Sequence, residues 1–145
     1  MRYVYSLTLE RDEDGGYIAR TRDVPEANTN GDSEKEALQE MSEALGAALA
    51  GYALEGRVIP PPSDALPGEY PVPVAPLVAV KLALRSAMHD EHITNVELAR
   101  RLGVSEGAVR RLLDLDHAFR LDVVVTALAA IGRGLIIEDQ EQFAA

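Results

Sequence analysis

The chain contains no cysteine and no tryptophan, and aromatic residues make up only 5% of it. Without cysteine there is no disulfide and no thiolate-based metal or redox chemistry. That suits a reducing compartment and argues against a small secreted disulfide scaffold. Long apolar runs are also missing. The longest uncharged stretches, Ala44–Leu54 and Tyr70–Val80, are 11 residues each, where a membrane-spanning helix needs about 20. The N-terminus, Met-Arg-Tyr-Val-Tyr-Ser-Leu-Thr-Leu-Glu, alternates in polarity and reads as a strand rather than a signal peptide. The expectation is a cytoplasmic protein, and nothing in the sequence calls for a cofactor.

What is present is a hydrophobic content of 47% in 145 residues, ample for a core at a one- to two-domain length. The net charge of −10 argues, as an average, against nucleic-acid binding, but it is unevenly spread. Residues 1–75 hold 6 basic and 14 acidic side chains, a net of −8; residues 76–137 hold 8 and 7, a net of +1; residues 138–145 add −3. Two halves of such different charge should have different partners. Of the eight prolines, seven lie between Pro60 and Pro76. Proline lacks the amide donor and restricts the residue before it, so Pro60-Pro61-Pro62-Ser63 and Leu66-Pro67-Gly68 cannot be helical, and the boundary is stiff and extended. The natural division is one domain over residues 1–75, ending in an extended linker at about 57–76, and a second over residues 76–145.

In the first half, Tyr3, Tyr5, Leu7 and Leu9 alternate with Val4, Ser6, Thr8 and Glu10, the period of a strand with one buried face. A polar turn, Arg11–Gly16, leads to a return strand at Tyr17–Thr21. Ala27–Asn30 reads as a short third strand, and Tyr70–Val74 as a last one. Between them, Ser33 and Glu36 form a capping-box pattern. In the helix that follows, Ala37, Leu38, Met41, Ala44, Leu45, Ala48, Leu49 and Tyr52 recur at helical spacing, and Glu36, Glu40 and Glu43 form a negative stripe on another flank. The carboxylates Glu10, Asp12, Asp14 and Asp23 near strand ends raise the reading of a two-magnesium nuclease. Against it, Asp12, Glu13 and Asp14 share one turn and do not converge from separate strands, which suits an acidic, solubilising hairpin tip.

The second half reads as helices throughout. Val78–Met88 is the first. Thr94-Asn95-Val96-Glu97 is a second capping box, opening a helix Asn95–Leu102 with Val96, Ala99 and Leu102 facing inward. Gly103 permits a left-handed turn. Ser105 caps a third helix, Glu106–Leu113, with Val109, Leu112 and Leu113 inward and Val104 and Val109 filling the angle between the two. Short helix, glycine turn and second helix make a helix-turn-helix, whose outer face at Glu106, Gly107, Arg110 and Arg111 matches the positions that read a major groove. Asn95 and Ser105, at the two helix N-termini, are candidate phosphate holders. The local net charge from Asn95 to Leu113 is only +2, so a single copy should bind DNA weakly and act as a dimer or higher oligomer. Ala118–Ile131 reads as a further helix, with Leu121, Val124, Val125, Leu128 and Ile131 apolar. The bare run Leu135, Ile136 and Ile137 is the candidate dimerisation surface. His89 and His92 sit beside Asp90 and Glu91, but a solvated helix end explains them better than a metal site.

Together the Asp12–Ala19 hairpin, Gly31-Asp32-Ser33 with its Glu/Ala-rich helix, and the run from Pro71-Val72-Pro73-Val74 through Lys81-Leu82-Ala83-Leu84, Ile93-Thr94 and Arg110–Asp114 to His117 cover nearly the whole chain. In these the sequence resembles the HicB-type antitoxins, the neutralising halves of HicA–HicB toxin–antitoxin pairs. The resemblance implies an α+β protein. Its N-terminal domain would be a sheet plus helix similar to a pared-down ribonuclease H without nuclease activity, and its C-terminal domain an all-α helix-turn-helix. It also implies two partners, a small basic HicA-like toxin that cleaves mRNA and double-stranded operator DNA. Glu36, Glu40, Glu43, Asp12 and Asp14 then become candidate toxin contacts. Family members often read Leu-Pro-Gly-Cys after the second strand, where this chain has Val24-Pro25-Glu26-Ala27; the departure is expected to spare the fold and to bear on toxin contacts. The competing readings are a stand-alone repressor whose N-terminal domain senses a small ligand and, third, the metal-dependent nuclease.

Overall fold

The computed structural model describes residues 1–141. Its elements are β1 (Val4–Arg11), β2 (Tyr17–Thr21), β3 (Asn28–Gly31), α1 (Glu34–Leu54), β4 (Tyr70–Pro73), α2 (Pro76–Asp90), α3 (Asn95–Leu102), α4 (Glu106–Leu113) and α5 (Leu121–Ala130). The fold is α+β, a sheet and helix followed by helices alone. The chain forms two compact units, residues 1–79 with 140 and 141, and residues 80–139; the division falls within α2. Among the described residues, no helix is long and apolar enough to cross a membrane.

In the first unit the sheet has the order β3-β2-β1-β4, every neighbour antiparallel. Alternation along β1 places Tyr5 opposite Val72, Leu7 opposite Thr21 and Leu9 opposite Ala19. Tyr5 and Leu7 are fully buried, whereas Tyr3 and Leu9 at the ends of the pattern are only partly so. Helix α1 packs on the sheet through Ala37, Leu38, Met41, Leu45, Leu49 and Tyr52. Burying a leucine fully contributes about 1.5–3 kcal/mol, so these side chains dominate the stability of the unit. The cap of α1 differs from the expected box in one bond. Ser33 Oγ accepts from Glu36 N at 3.1 Å, but Glu36 Oε2 returns to the amide of Asp32, one residue before the cap, at 2.8 Å.

The proline-rich stretch is extended, as expected, and it is bonded along the first unit. Its prolines have no donors, so few amides need partners, and side chains supply them. Asp23 accepts from Ser63 N at 2.9 Å and Glu69 from Leu66 N at 2.7 Å. Arg22 forks onto both Glu69 oxygens at 3.0 Å and donates to Asp64 O at 2.6 Å. Tyr5, on β1, donates from its hydroxyl to Pro60 O at 2.7 Å. Glu26, in the Val24–Ala27 segment that departs from the resembled pattern, accepts from the hydroxyl of Tyr52 and pairs with Arg57 at 3.1 Å, whose guanidinium lies 3.5 Å over the Tyr52 ring. The altered residue is thus tied to this chain's own Tyr52 and Arg57.

The second unit buries Leu84, Ala87 and Met88 of α2, Leu98 and Ala99 of α3, Val109, Leu112 and Leu113 of α4, and Val124, Ala127 and Leu128 of α5 around one core. Two expected positions, Val96 and Val104, are corrected. Val96 is 62% exposed and Leu98 takes its place, because positions 95, 98, 99 and 102 share the helical face that meets the core. Val104 is 46% exposed, leaving Val109 alone to fill the angle between α3 and α4. On α5 the buried set is Val124, Ala127, Leu128 and the following Ile131, while Leu121 and Val125 lie at the surface.

Gly31 ends β3 directly against the first turn of α1, where an added Cβ would stand 2.6 Å from the amide nitrogen of Ala37. Backbone cannot yield as a side chain would. Gly31→Ala is therefore expected to lower the unfolding free energy by about 1–3 kcal/mol in urea titrations; an unchanged midpoint would contradict this close approach.

Candidate functional site

The helix-turn-helix is built by two caps and one glycine. Thr94 Oγ1 accepts from Glu97 N at 3.1 Å to start α3. Gly103 adopts φ 68° and ends α3, its amide and that of Val104 turning back to Ala99 and Arg100 carbonyls. Ser105 Oγ accepts from Ala108 N at 3.1 Å to start α4. Amphipathicity does the rest. Val109, Leu112 and Leu113 turn inward, leaving Glu106, Arg110 and Arg111 at the surface and Gly107 half-buried between Ser105 and the two guanidiniums. The DNA candidates on α4 are thus brought together on one face. Asn95 opens α3 but is half-buried, and Thr94 provides the cap.

The four arginines of the motif are not equivalent. Glu97 binds two of them. Arg100 forks onto it at 2.9 and 2.7 Å, and Arg101 donates to it at 2.9 Å. Arg101 also reaches the carbonyl of Ala130 at 2.9 Å and so braces α3 to the end of α5. Arg110 leans toward Glu106 at 3.7 Å, while Arg111 has no carboxylate within ion-pair distance among the described residues. The positive charge available to a phosphate or a guanine is therefore concentrated on α4. The Glu97 clasp was readable in its i, i+3 and i, i+4 spacing. A second group, Lys81 and Arg85 of α2, reaches the end of α4 and gave no sequence signal. Lys81 donates to the carbonyls of Asp114 and His117, and Arg85 Nε to that of Leu113 at 3.1 Å.

The acidic candidates lie in two places of the first unit. Glu40 and Glu43 are exposed on α1, and Glu36, also exposed, is engaged by the Asp32 amide. Asp14 is exposed at the hairpin tip, whereas Asp12 is half-buried and closes the turn through its backbone with Gly16 at 2.8 Å and Gly15 at 3.0 Å. Of the carboxylates considered for metal chemistry, Asp23 is held by Ser63 and Glu10 pairs with Arg20 at 3.5 Å. Among the described residues, no three histidines or acids are grouped to hold a metal ion. Of the candidate dimerisation residues, Leu135 packs on the core of its own unit, while Ile136 and Ile137 are 90% and 73% exposed.

Comparison with known proteins extends this picture. Residues 4–83 match a family described as the HicB-like antitoxin of bacterial toxin–antitoxin systems, and residues 82–114 match winged helix-turn-helix DNA-binding domains. The second match spans the helical part; the described residues of that unit contain no strand. The chain is 38% identical over 133 residues to antitoxin HicB 1 of Photorhabdus laumondii subsp. laumondii, covering 92% of this chain and 84% of the relative. It is 36% identical to antitoxin HicB of Escherichia coli K12, covering 90% and 95%, and 30% identical to antitoxin HicB of Pseudomonas fluorescens, covering 93% and 92%. These relatives are antitoxins by name.

The two guanidiniums on Glu97 hold its carboxyl well below the ordinary 4.5, at about 2. A carboxylate whose pKa is lowered by folding keeps its contribution above the unfolded value and loses it as pH falls through the folded one. The clasp is thus expected to persist at pH 4.5 and to release only toward pH 2. A carboxyl-carbon NMR titration should place the Glu97 midpoint near 2; a midpoint near 4.5 would mean that the arginines are free.

Proposed function

As the chain belongs to the HicB-like antitoxin family and carries a helix-turn-helix DNA-binding domain, we propose that it neutralises a HicA-like, mRNA-cleaving toxin and represses its own operon by binding operator DNA. In this reading it is a cytoplasmic protein, because both partners act there. The observation that carries the DNA role is the presentation of Arg110 and Arg111 together on the outer face of α4, with their neighbouring acids few and the arginines of α3 already occupied. Either guanidinium can pair bidentately with guanine O6 and N7, a contact worth about 1–3 kcal/mol of discrimination. The first amides of α3 and α4, beside the capping Thr94 and Ser105, would hold backbone phosphates in this reading.

The toxin role is supported by the net charge of −8 over residues 1–75 and by the exposure of Glu40, Glu43 and Asp14. Complementary charge speeds encounter with a basic toxin and selects against wrong partners. Affinity itself comes from buried contacts, since exposed ion pairs contribute only ~0–1 kcal/mol each. A homodimer completes the reading. Ile136 and Ile137, with Leu121, Val123 and Val125 on α5, leave apolar surface at the second unit. A two-fold pair would cover such surface twice and present two α4 helices to half-sites about 34–36 Å apart or a multiple of that.

Replacing Arg110 and Arg111 together by alanine is expected to abolish a mobility shift on the protein's own promoter while rescue from the co-expressed toxin is retained. Undiminished operator binding by the double variant would refute the DNA-reading role of α4.

A further inference from the structure

Lys81 is a charged residue buried almost completely, with 1% of its surface exposed. Among the described residues no carboxylate stands at ion-pair distance from its ammonium, although the charges of Asp114 and Asp116 are felt there. It donates to the carbonyl oxygens of Asp114 and His117 and stands 4.9 Å from the centroid of the Phe119 ring. Two carbonyls and an aromatic face satisfy the three donors of a lysine, which a desolvated ammonium requires. Burial also pulls its pKa below the ordinary lysine value.

The carbonyls it holds are special ones. Helix α4 ends at Asp114 in extended conformation, with φ −67° and ψ 118°, without the left-handed residue that commonly turns amides back onto a helix end. The last carbonyls of α4 consequently take donors from beyond the helix: Arg85 donates to Leu113, and Lys81 to Asp114, whose carbonyl also accepts the amide of His117 at 3.2 Å. Asp114 is also the residue whose amide closes onto the carbonyls of Arg110 at 3.0 Å and Arg111 at 3.3 Å. A single residue thus links the buried ammonium to the turn that carries both reading arginines. Positive charge at this end further complements the helix dipole.

The geometry points to Lys81, seconded by Arg85, as a positioning residue for DNA specificity. It clamps the end of α4 and so sets the angle at which Arg110 and Arg111 are presented, without touching DNA. This role rests on the reading of α4 as the helix that enters the major groove. A clamp of this kind affects base readout, which depends on fine geometry, far more than phosphate contact, which does not.

The test is Lys81→Met in the full-length protein, measured by fluorescence anisotropy on a duplex of its own promoter and on a scrambled duplex, at several salt concentrations. The expected result is a loss of about tenfold or more on the promoter duplex with little change on the scrambled one. The salt slope should be unchanged, because no phosphate contact is removed. Equal losses on both duplexes, or a salt slope reduced by about one unit, would overturn the assignment in favour of mere structural support or a direct phosphate contact. If circular dichroism shows Lys81→Met to be unfolded, Arg85→Gln takes its place. A selective loss on the promoter duplex supports the clamp, and unchanged selectivity overturns it. A wild-type protein that does not distinguish the two duplexes overturns the reading of α4 itself, and this role with it.

Discussion

The ammonium of Lys81 against the carbonyls of Asp114 and His117 is the contact on which the working surface of the second unit depends. A backbone that leaves helix or sheet must find hydrogen-bond partners elsewhere, and a buried one cannot take them from water. Helix α4 has no glycine at its end to fold its amides back, so its terminal carbonyls turn to cations from α2. The first unit pairs backbone with side-chain charge of the opposite sign, here at the surface. Its proline-rich stretch has few amides left, and those of Ser63 and Leu66 turn to the carboxylates of Asp23 and Glu69. Charged side chains in both units thus serve the backbone before they serve any partner.

That allocation decides which charges remain for function. A chain of net −10 is a poor DNA ligand as a whole. On the helix-turn-helix, Glu97 occupies Arg100 and Arg101, and Arg101 braces α5, so those two arginines stabilise the motif. Arg110 and Arg111 are the cations it leaves exposed on α4. On the first unit, Glu26, Asp23 and Glu69 are spent on Arg57, Ser63 and Arg22, while Glu40 and Glu43 remain exposed on α1. Counting charges along the sequence treats all of these alike. The hydrogen bonds separate the internal from the available.

Local pattern made most of the elements legible. The period of two placed β1 and β2, and Ser33, Thr94, Ser105 and Gly103 marked helix ends that the structure reproduces, because capping depends on neighbours within four residues. Periodicity failed where tertiary packing chose among adjacent apolar residues. Leu98 is buried in place of Val96, and Val104 is half exposed, since the sequence does not state the direction of the core. The long-range bonds were invisible. Nothing near Lys81 signals a carbonyl 33 residues away, and nothing near Glu26 signals Tyr52 or Arg57. The site on α4 was therefore readable as a surface, but not the contacts that hold it.

The central claim is that operator DNA is read by the outer face of α4 and by no acidic surface of the first unit. Its most direct test is an NMR titration of the isotope-labelled full-length protein with its promoter duplex. The account predicts that the amides from Ser105 to Arg111 and the Nε–H signals of Arg110 and Arg111 shift, while Thr8, Glu40 and Glu43 stay in place. Shifts centred on α1 or the sheet, with α4 unmoved, would contradict it.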